Sequence, residues 1–174
     1  MASIIKANQL QDFGGNSIIT SDGAGNLTTQ KINYPAFFAY LSANQDLPNN
    51  VVTKINVNTE TFDTDNCYDN STNYRFTPTV AGKYYLFGST IISALTDDSA
   101  IIYIYKNGSN LAYRQVGASN TSGGEGVDIS FMDEANGTTD YYELFAYQNS
   151  GSTKNTSGDS TQRTTFFGAY RIGS

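Results

Sequence analysis

The sequence contains no histidine and no tryptophan, only one cysteine and only three prolines. Without histidine the chain has no Ser-His-Asp or Cys-His nucleophile pair and no imidazole metal ligand, so the enzymes that depend on these groups are excluded. The lone Cys67 cannot form an intrachain disulfide. Its expected role is that of a small, partly buried apolar residue, and a reactive thiol is the alternative.

Charge is also scarce. Charged residues make up 15% of the chain, and the formal net charge is -6. Nucleic-acid binding needs a basic stripe that displaces counterions, so this acidic balance argues against a nucleic-acid partner. No apolar run reaches the length of a membrane span, and residues 1–6 lack the basic and long apolar regions of a signal peptide. We therefore expect a protein that is made in a cytoplasm and is not inserted into a membrane.

Residues 35–174 are rich in the residue types of strands and turns, and the whole chain has 13 tyrosines and 10 phenylalanines. Apolar runs alternate with Asn, Gly and Ser turns, and Asn107-Gly108 between two such runs predicts a type I′ hairpin. The predicted strands cover residues 36–41, 52–57, 74–77, 83–92, 100–106, 110–114, 126–132, 140–147 and 164–172. About eight or nine strands are enough for two packed antiparallel sheets, so the predicted fold class is all-β.

Residues 1–34 form a separate polar, glycine-rich segment. The Asp22-Gly23 step predicts a small hairpin between residues 16–20 and 26–29, because this dipeptide favours tight turns. Such a hairpin has too few apolar residues to be stable alone. Its apolar side chains need the main domain, another copy of the chain or a different protein, and a disordered tail is the alternative.

Several motifs at fixed spacing resemble one known family. Pro35–Phe37 opens the domain, Phe76 is followed six residues later by Gly82 and then by Tyr84-Tyr85, and Phe166–Gly168 lies near the end. This pattern resembles the globular head of complement C1q, which is related in fold to tumour necrosis factor (TNF), over nearly all of residues 35–174. The resemblance implies a ten-strand, two-sheet antiparallel jelly-roll sandwich that assembles as a homotrimer.

Adjacent aromatic residues suggest where the copies would meet. Neighbours on a strand face opposite sides, so each pair places one ring on the outer face of its sheet. The resemblance implies that the first strand, the Tyr-Tyr strand and the last strand share the sheet that faces the threefold axis, and half-buried surface rings are the alternative. The candidate trimer-interface residues are Phe37, Phe38, Tyr40, Tyr84, Tyr85, Phe166, Phe167 and Tyr170.

The first segment resembles a different group of proteins. Residues 15–28 are similar to the short Gly-Asn and Asp-Gly-x-Gly-Asn-Leu segments that are common in bacteriophage fibre and other virion proteins. The resemblance implies a virion protein that is synthesised in the host cytoplasm. Residues 1–34 would then dock onto other virion proteins, and residues 35–174 would form the displayed head.

Oxygen ligands are densest over residues 63–70. Asp63, Asp65 and Asp69 are weak calcium candidates, because calcium prefers several oxygen ligands. The region lacks the glycine and terminal glutamate of an EF-hand at their offsets, so a solvated turn is the favoured alternative. We expect no cofactor.

Two acidic pairs, Asp97-Asp98 and Asp133-Glu134, are the candidates for glycoside hydrolysis. Both are predicted to lie in turns between strands, where neighbouring carboxylates are more often surface charges. A polysaccharide-active enzyme is therefore the less favoured function.

A ligand surface is expected around the loops, since loops on a rigid sandwich usually carry recognition. The candidate residues are Tyr113, Asn120, Tyr147 and Asn149, and plain solvated loops are the alternative. Together these features favour a non-enzymatic virion protein, as capsid decoration, head fibre or tail-fibre tip, whose head contacts a host-surface glycan or protein. A bacterial cell-surface or secreted adhesin is the alternative function.

Overall fold

The computed structural model describes residues 7–29, 34–93, 95, 99–117 and 124–173. The chain divides into two compact units, residues 1–33 and 34–174. The sixteen strands of the described residues are β1 Gln9–Gln11, β2 Ser17–Ser21, β3 Leu27–Thr29, β4 Ala36–Tyr40, β5 Gln45–Leu47, β6 Thr53–Lys54, β7 Thr59–Asp63, β8 Tyr68–Asp69, β9 Arg75–Phe76, β10 Gly82–Ile92, β11 Ser99–Lys106, β12 Ser109–Gly117, β13 Glu125–Ala135, β14 Tyr142–Gln148, β15 Lys154–Thr156 and β16 Phe166–Gly173. No helix long and apolar enough to cross a membrane occurs in the described part of the chain.

The larger unit contains two antiparallel sheets. In the first sheet the strand order is β5-β15-β10-β16-β4-β7. The short β15 and the longer β16 pair with successive parts of one edge of β10, and β13 pairs along its opposite edge. In the second sheet the order is β12-β11-β14-β9-β8, and β6 also pairs with β14. The described residues of this unit form thirteen strands instead of the predicted eight or nine, because the predicted loops contain short paired segments such as β15.

Local sequence explains the clearest hairpin. Asn107 and Gly108 have φ angles of 53° and 77°, as a type I′ turn requires, and they join β11 to β12. Residue Asn107 tolerates this left-handed conformation better than most side chains do, and its amide oxygen accepts a hydrogen bond from the Tyr141 backbone N–H (2.9 Å). The predicted hairpin is therefore present, with its turn tied to the start of β14.

Aromatic rings from both sheets meet in the core between them. Phe37 of the first sheet stacks on Tyr68 and Phe76 of the second, with ring centroids 4.4 and 4.8 Å apart. Gly88 lets the two sheets approach closely, because a Cβ there would lie only 2.8 Å from Leu144 Cδ1. These contacts join the sheets into one sandwich, which confirms the predicted all-β fold.

The smaller unit is a three-stranded meander, β1-β2-β3. Its two turns have the same hydrogen-bond pattern. The Asp12 carboxylate accepts hydrogen bonds from the backbone and side-chain N–H groups of Asn16, and the Asp22 carboxylate accepts them from the corresponding groups of Asn26. Hydrogen bonding from Asn16 and Asn26 lowers the pKa of Asp12 and Asp22, respectively. The meander includes the hairpin expected from the Asp22-Gly23 step.

Candidate functional site

An aromatic cluster covers the outer side of the first sheet. Side chains alternate along each strand, so when Tyr84 and Leu86 point into the core, Tyr85 and Phe87 point outward. The same alternation applies to β4, β7 and β16, and we name the resulting surface the phenylalanine face. It consists of Phe38, Phe62, Tyr85, Phe87, Phe166 and Tyr170.

The rings of the phenylalanine face form one connected network. Phe38 lies 5.4 Å from Phe166, 6.2 Å from Phe87 and 6.5 Å from Phe62, measured between ring centroids. At the other end, the rings of Tyr85 and Tyr170 lie 5.4 Å apart. Such distances suit favourable aromatic pairs, which add about 0.5–1.5 kcal/mol each beyond area burial. Because Phe62 and Tyr170 remain 49% and 46% exposed, the face is ordered within one chain but still open to a partner.

Gly168 positions the central ring of this face. Its strand position lies opposite both Phe87 and Phe38, and a Cβ at Gly168 would lie 2.4 Å from Phe87 Cζ. The Phe87 ring therefore lies across a position where any other residue would displace it. This close approach gives a physical reason for the Phe-x-Gly pattern near the end of the chain.

Three of the predicted interface residues lie elsewhere. Phe37, Tyr84 and Phe167 are completely buried in the core of a single chain, so their side chains cannot contact another copy and that prediction is wrong for them. Because side chains alternate along a strand, the other member of each pair, Phe38, Tyr85 or Phe166, lies on the outer side of the sheet. Tyr40 is half-buried, and the Arg163 guanidinium lies 5.2 Å from its ring centroid. For the remaining candidates, contact with another copy stays a prediction.

A polar cluster closes one end of the larger unit. Lys106 Nζ lies 2.7 Å from Asp133 Oδ2 and 3.4 Å from Asp140 Oδ2, and the Tyr142 hydroxyl donates to Asp133 Oδ2 (2.8 Å). Burial alone would lower the pKa of Lys106, but the two carboxylates raise it; burial and Asp133 together raise the pKa of Tyr142. Asp133 thus has a structural role, since it ties β13 to β11 and β14.

The arrangement corrects the prediction about the acidic pair. Asp133 and Glu134 lie within β13 and not in a turn, so the two side chains point to opposite sides of the strand. Two carboxylates in that arrangement cannot flank one glycosidic bond. The other pair, Asp97-Asp98, lies outside the described residues.

The calcium candidates do not converge. Asp63 accepts hydrogen bonds from the Tyr68 backbone N–H (2.8 Å) and the Cys67 thiol (3.1 Å). Asp69 accepts bonds from backbone N–H groups, above all that of Thr72, and these lower its pKa. Among the residues that the structure describes, no group of three or more acidic, cysteine or histidine side chains is placed to hold a metal ion, and the proposed Asp63, Asp65 and Asp69 set is not supported. Cys67 itself is buried, which raises the pKa of its thiol.

The ligand candidates are divided between the described and the other residues. Tyr113 is 54% exposed, and the Tyr147 hydroxyl donates to Asn50 Oδ1 (2.9 Å). Asn149 Oδ1 accepts a hydrogen bond from the Ser99 backbone N–H (2.8 Å), so this side chain anchors the start of β11. Asn120 lies outside the described residues.

Two members of the phenylalanine face, Phe62 and Phe87, are absent from the sequence-based list. Phe87 has a usable signal, because it follows Tyr85 by two residues and must share its side of the strand. Phe62 lies opposite Phe38 across the β4–β7 pair, but the segment that contains it was not predicted as a strand. Only the observed pairing brings Phe62 into the cluster.

Comparison with solved structures identifies the fold. The Eiger TNF of S. frugiperda matches with a TM-score of 0.57 and 6% identity over 80% of this chain and 93% of that one. Murine APRIL matches with a TM-score of 0.56 and 10% identity over 80% of this chain and all of that one. No protein-family model and no curated protein sequence matches the chain. The larger unit therefore has the TNF-like jelly-roll fold, in agreement with the expected C1q/TNF-like head.

Proposed function

We propose that the protein is a non-enzymatic structural component of a bacteriophage virion, and that it forms a homotrimer of jelly-roll heads. It would serve as capsid decoration, head fibre or tail-fibre tip. Residues 1–34 would attach it to other virion proteins, and the head would face outward to contact the host surface.

The phenylalanine face is the main support for the proposed trimer. Six connected rings on one side of a sheet form an apolar surface that a soluble monomer rarely leaves exposed. A second copy of the chain is the natural occupant, because the C1q-like pattern of the sequence belongs to trimeric heads. Met132 extends the same side of the sheet beside Tyr85 and is 64% exposed.

Light scattering on the purified chain tests this part. We expect three times the chain mass of 18.9 kDa at micromolar concentration. A monodisperse particle with the mass of one chain at that concentration would rule out the trimer.

The attachment role is supported by the smaller unit. Leu10, Phe13 and Ile18 are exposed on a three-stranded meander, which is too small to bury them itself. The Gly-Asn and Asp-Gly turns of this meander are also the motifs that resemble virion proteins.

Gold-labelled antibodies against the head, viewed on particles by electron microscopy, test the virion role. We expect label on particles with the full chain and none when residues 1–33 are deleted, while the deleted protein stays trimeric. Label on the bacterial cell surface and none on particles would instead support the adhesin alternative.

A further inference from the structure

A second aromatic surface lies on the outer side of the second sheet. Two cross-strand rows form it, in which residues of β12, β11 and β14 lie opposite one another. One row contains Tyr113, Tyr103 and Phe145, and the other contains Gln115, Ile101 and Tyr147. Tyr105 lies two residues beyond Tyr103 on β11 and therefore on the same side of the sheet. We name this surface the tyrosine face, and it consists of Tyr103, Tyr105, Tyr113, Phe145 and Tyr147.

Four of these rings, those of Tyr113, Tyr103, Tyr105 and Phe145, form a connected series but do not share one plane. The fifth, Tyr147, lies opposite Ile101 in the other row. Tyr105 and Phe145 are 4.2 Å apart with a tilt of 31°, whereas Tyr103 meets Tyr105 edge-on at 6.0 Å and 76°. Tyr113 lies 5.9 Å from Tyr103 and is the most open ring. Burial raises the pKa of Tyr103, and the nearby phenols of Tyr105, Tyr147 and Tyr113 add to this effect. The face is therefore a stepped aromatic surface edged with hydroxyl groups.

The charged groups beside these rings are engaged within the chain. Lys54 Nζ lies 2.5 Å from Glu143 Oε1 and 5.8 Å from the centre of the Phe145 ring. The guanidinium of Arg75 lies 4.5 Å from the centre of the Tyr141 ring. Because these cations are held by neighbouring groups, the tyrosine face offers rings, hydroxyls and amides to a ligand, with little net charge.

We propose that the tyrosine face binds a neutral polysaccharide. A sugar ring has an apolar C–H side that stacks on an aromatic ring and a rim of hydroxyls that both donate and accept hydrogen bonds. Tyr147 donates to Asn50 and Gln115 donates to Ser99, but a tyrosine oxygen can still accept, and each amide has further donor or acceptor capacity that a sugar hydroxyl can match. This inference rests on the proposed outward display of the head and names the class of host-surface ligand.

Electrostatics favours a neutral ligand over an anionic one. The chain has a net charge of -6, so an acidic polysaccharide, a nucleic acid or an anionic membrane would be repelled. Beside the face, Lys54 is paired with Glu143, Arg75 stacks on Tyr141, and Arg114 donates to the Tyr113 backbone carbonyl, so each of these cations already has a partner within the chain. The partner that fits the charge of the surface is therefore an uncharged polyhydroxylated chain.

Affinity electrophoresis of the full chain provides the test. Native gels would contain dextran, mannan or laminarin as neutral probes, and alginate or polygalacturonate as acidic probes. We compare the wild type with Tyr113→Ala, which removes the most exposed ring, and with Tyr113→Phe, which keeps the ring. Tyr34→Ala is the matched control, because Tyr34 is 49% exposed and lies outside the tyrosine face.

We expect at least one neutral polysaccharide to retard the wild type. Tyr113→Ala should weaken binding at least fivefold, while Tyr34→Ala leaves it unchanged and Tyr113→Phe keeps most of it. No retardation by the neutral probes, stronger retardation by the acidic ones, or binding that is insensitive to Tyr113→Ala would overturn the inference. A Tyr113-dependent complex with a cell-envelope protein in place of polysaccharide binding would overturn it as well.

Light scattering and circular dichroism on the same samples show whether each variant keeps its fold and assembly. A trimer that labels particles but is not retarded would overturn only the polysaccharide inference. A protein that is retarded but absent from particles would overturn only the virion role.

Discussion

The two outer surfaces of the sandwich are both aromatic, but their chemistry differs. The phenylalanine face carries four phenylalanines and two tyrosines in one connected network. The tyrosine face carries four tyrosines and one phenylalanine, and an ion pair between Lys54 and Glu143 lies at its edge. One fold thus presents a surface made mainly of phenylalanine on one side and a surface made mainly of tyrosine on the other.

This difference indicates two modes of contact. Phenylalanine gains most from complete removal of water, which a permanent partner provides. Tyrosine combines a large apolar ring with a hydroxyl that can stay hydrated, so it suits a surface that is alternately wet and occupied. We therefore assign assembly to the phenylalanine face and ligand binding to the tyrosine face. The experiments below test that assignment first, and then the packing of the core and of the sheet beneath the phenylalanine face.

The largest expected effect is loss of assembly in Phe87→Asp. A carboxylate at the centre of the phenylalanine face would have to be desolvated in each subunit, at a cost of several kcal/mol per charge. The trimer should dissociate to monomers in light scattering at micromolar concentration. Tyr113→Asp, the matched change on the tyrosine face, should stay trimeric; the assignment is wrong if the two variants behave alike.

Neighbouring phenylalanines separate the core from the outer surface. Phe37→Ala removes a completely buried ring and should lower the free energy of unfolding by about 3–5 kcal/mol. Phe38→Ala removes an outer ring and should cost a single chain about 1 kcal/mol, with a weakened trimer as its main result. Urea unfolding monitored by circular dichroism gives the first value and light scattering the second. Equal losses of stability would contradict the observed orientation of this pair.

Gly168→Ala tests the close approach beneath the phenylalanine face. The added methyl group would overlap the Phe87 ring, so we expect a loss of about 1–3 kcal/mol in unfolding free energy. Gly117→Ala is the control, because a Cβ at Gly117 lies within 4 Å of no atom of the described residues. A neutral result at both positions would show that the Phe87 ring moves aside without cost.

The smallest effect concerns alkaline pH. Burial raises the pKa of Tyr84 to about 12, above the ordinary value of about 10. The folded state therefore holds this proton more tightly, and the stability that Tyr84 contributes is intact below pH ~10 and is lost as the pH rises toward ~12. Urea midpoints measured across this range should fall less steeply in Tyr84→Phe. This variant also loses the hydrogen bond from the hydroxyl to the Val80 carbonyl (2.6 Å), so its stability at neutral pH should drop by about 1 kcal/mol. An unchanged slope would exclude the contribution of Tyr84.

Much of the fold was predictable because the relevant signals are local. Asn107-Gly108 fixes a turn by backbone sterics, and the alternation along residues 83–92 fixes which side chains share a side of the strand. No sequence signal marks the short strand β15, because Lys154–Thr156 is polar and pairs with β5 only after the chain has folded. The sequence predicts a turn at Asp133, but β13 continues to Ala135, and the Asp133 carboxylate pairs with Lys106 of a distant strand.

The sequence alone determined that the chain is all-β and that adjacent rings within a strand lie on opposite sides of it, since strand periodicity and turn sterics act between near neighbours. Only the tertiary structure decided which ring of each pair is buried, because that depends on which side of the strand the other sheet covers. Tertiary structure also collected the rings of separate strands into two distinct surfaces. Strand pairing places Phe38 opposite Phe62, and Tyr103 opposite Tyr113, although these residues are separated along the chain.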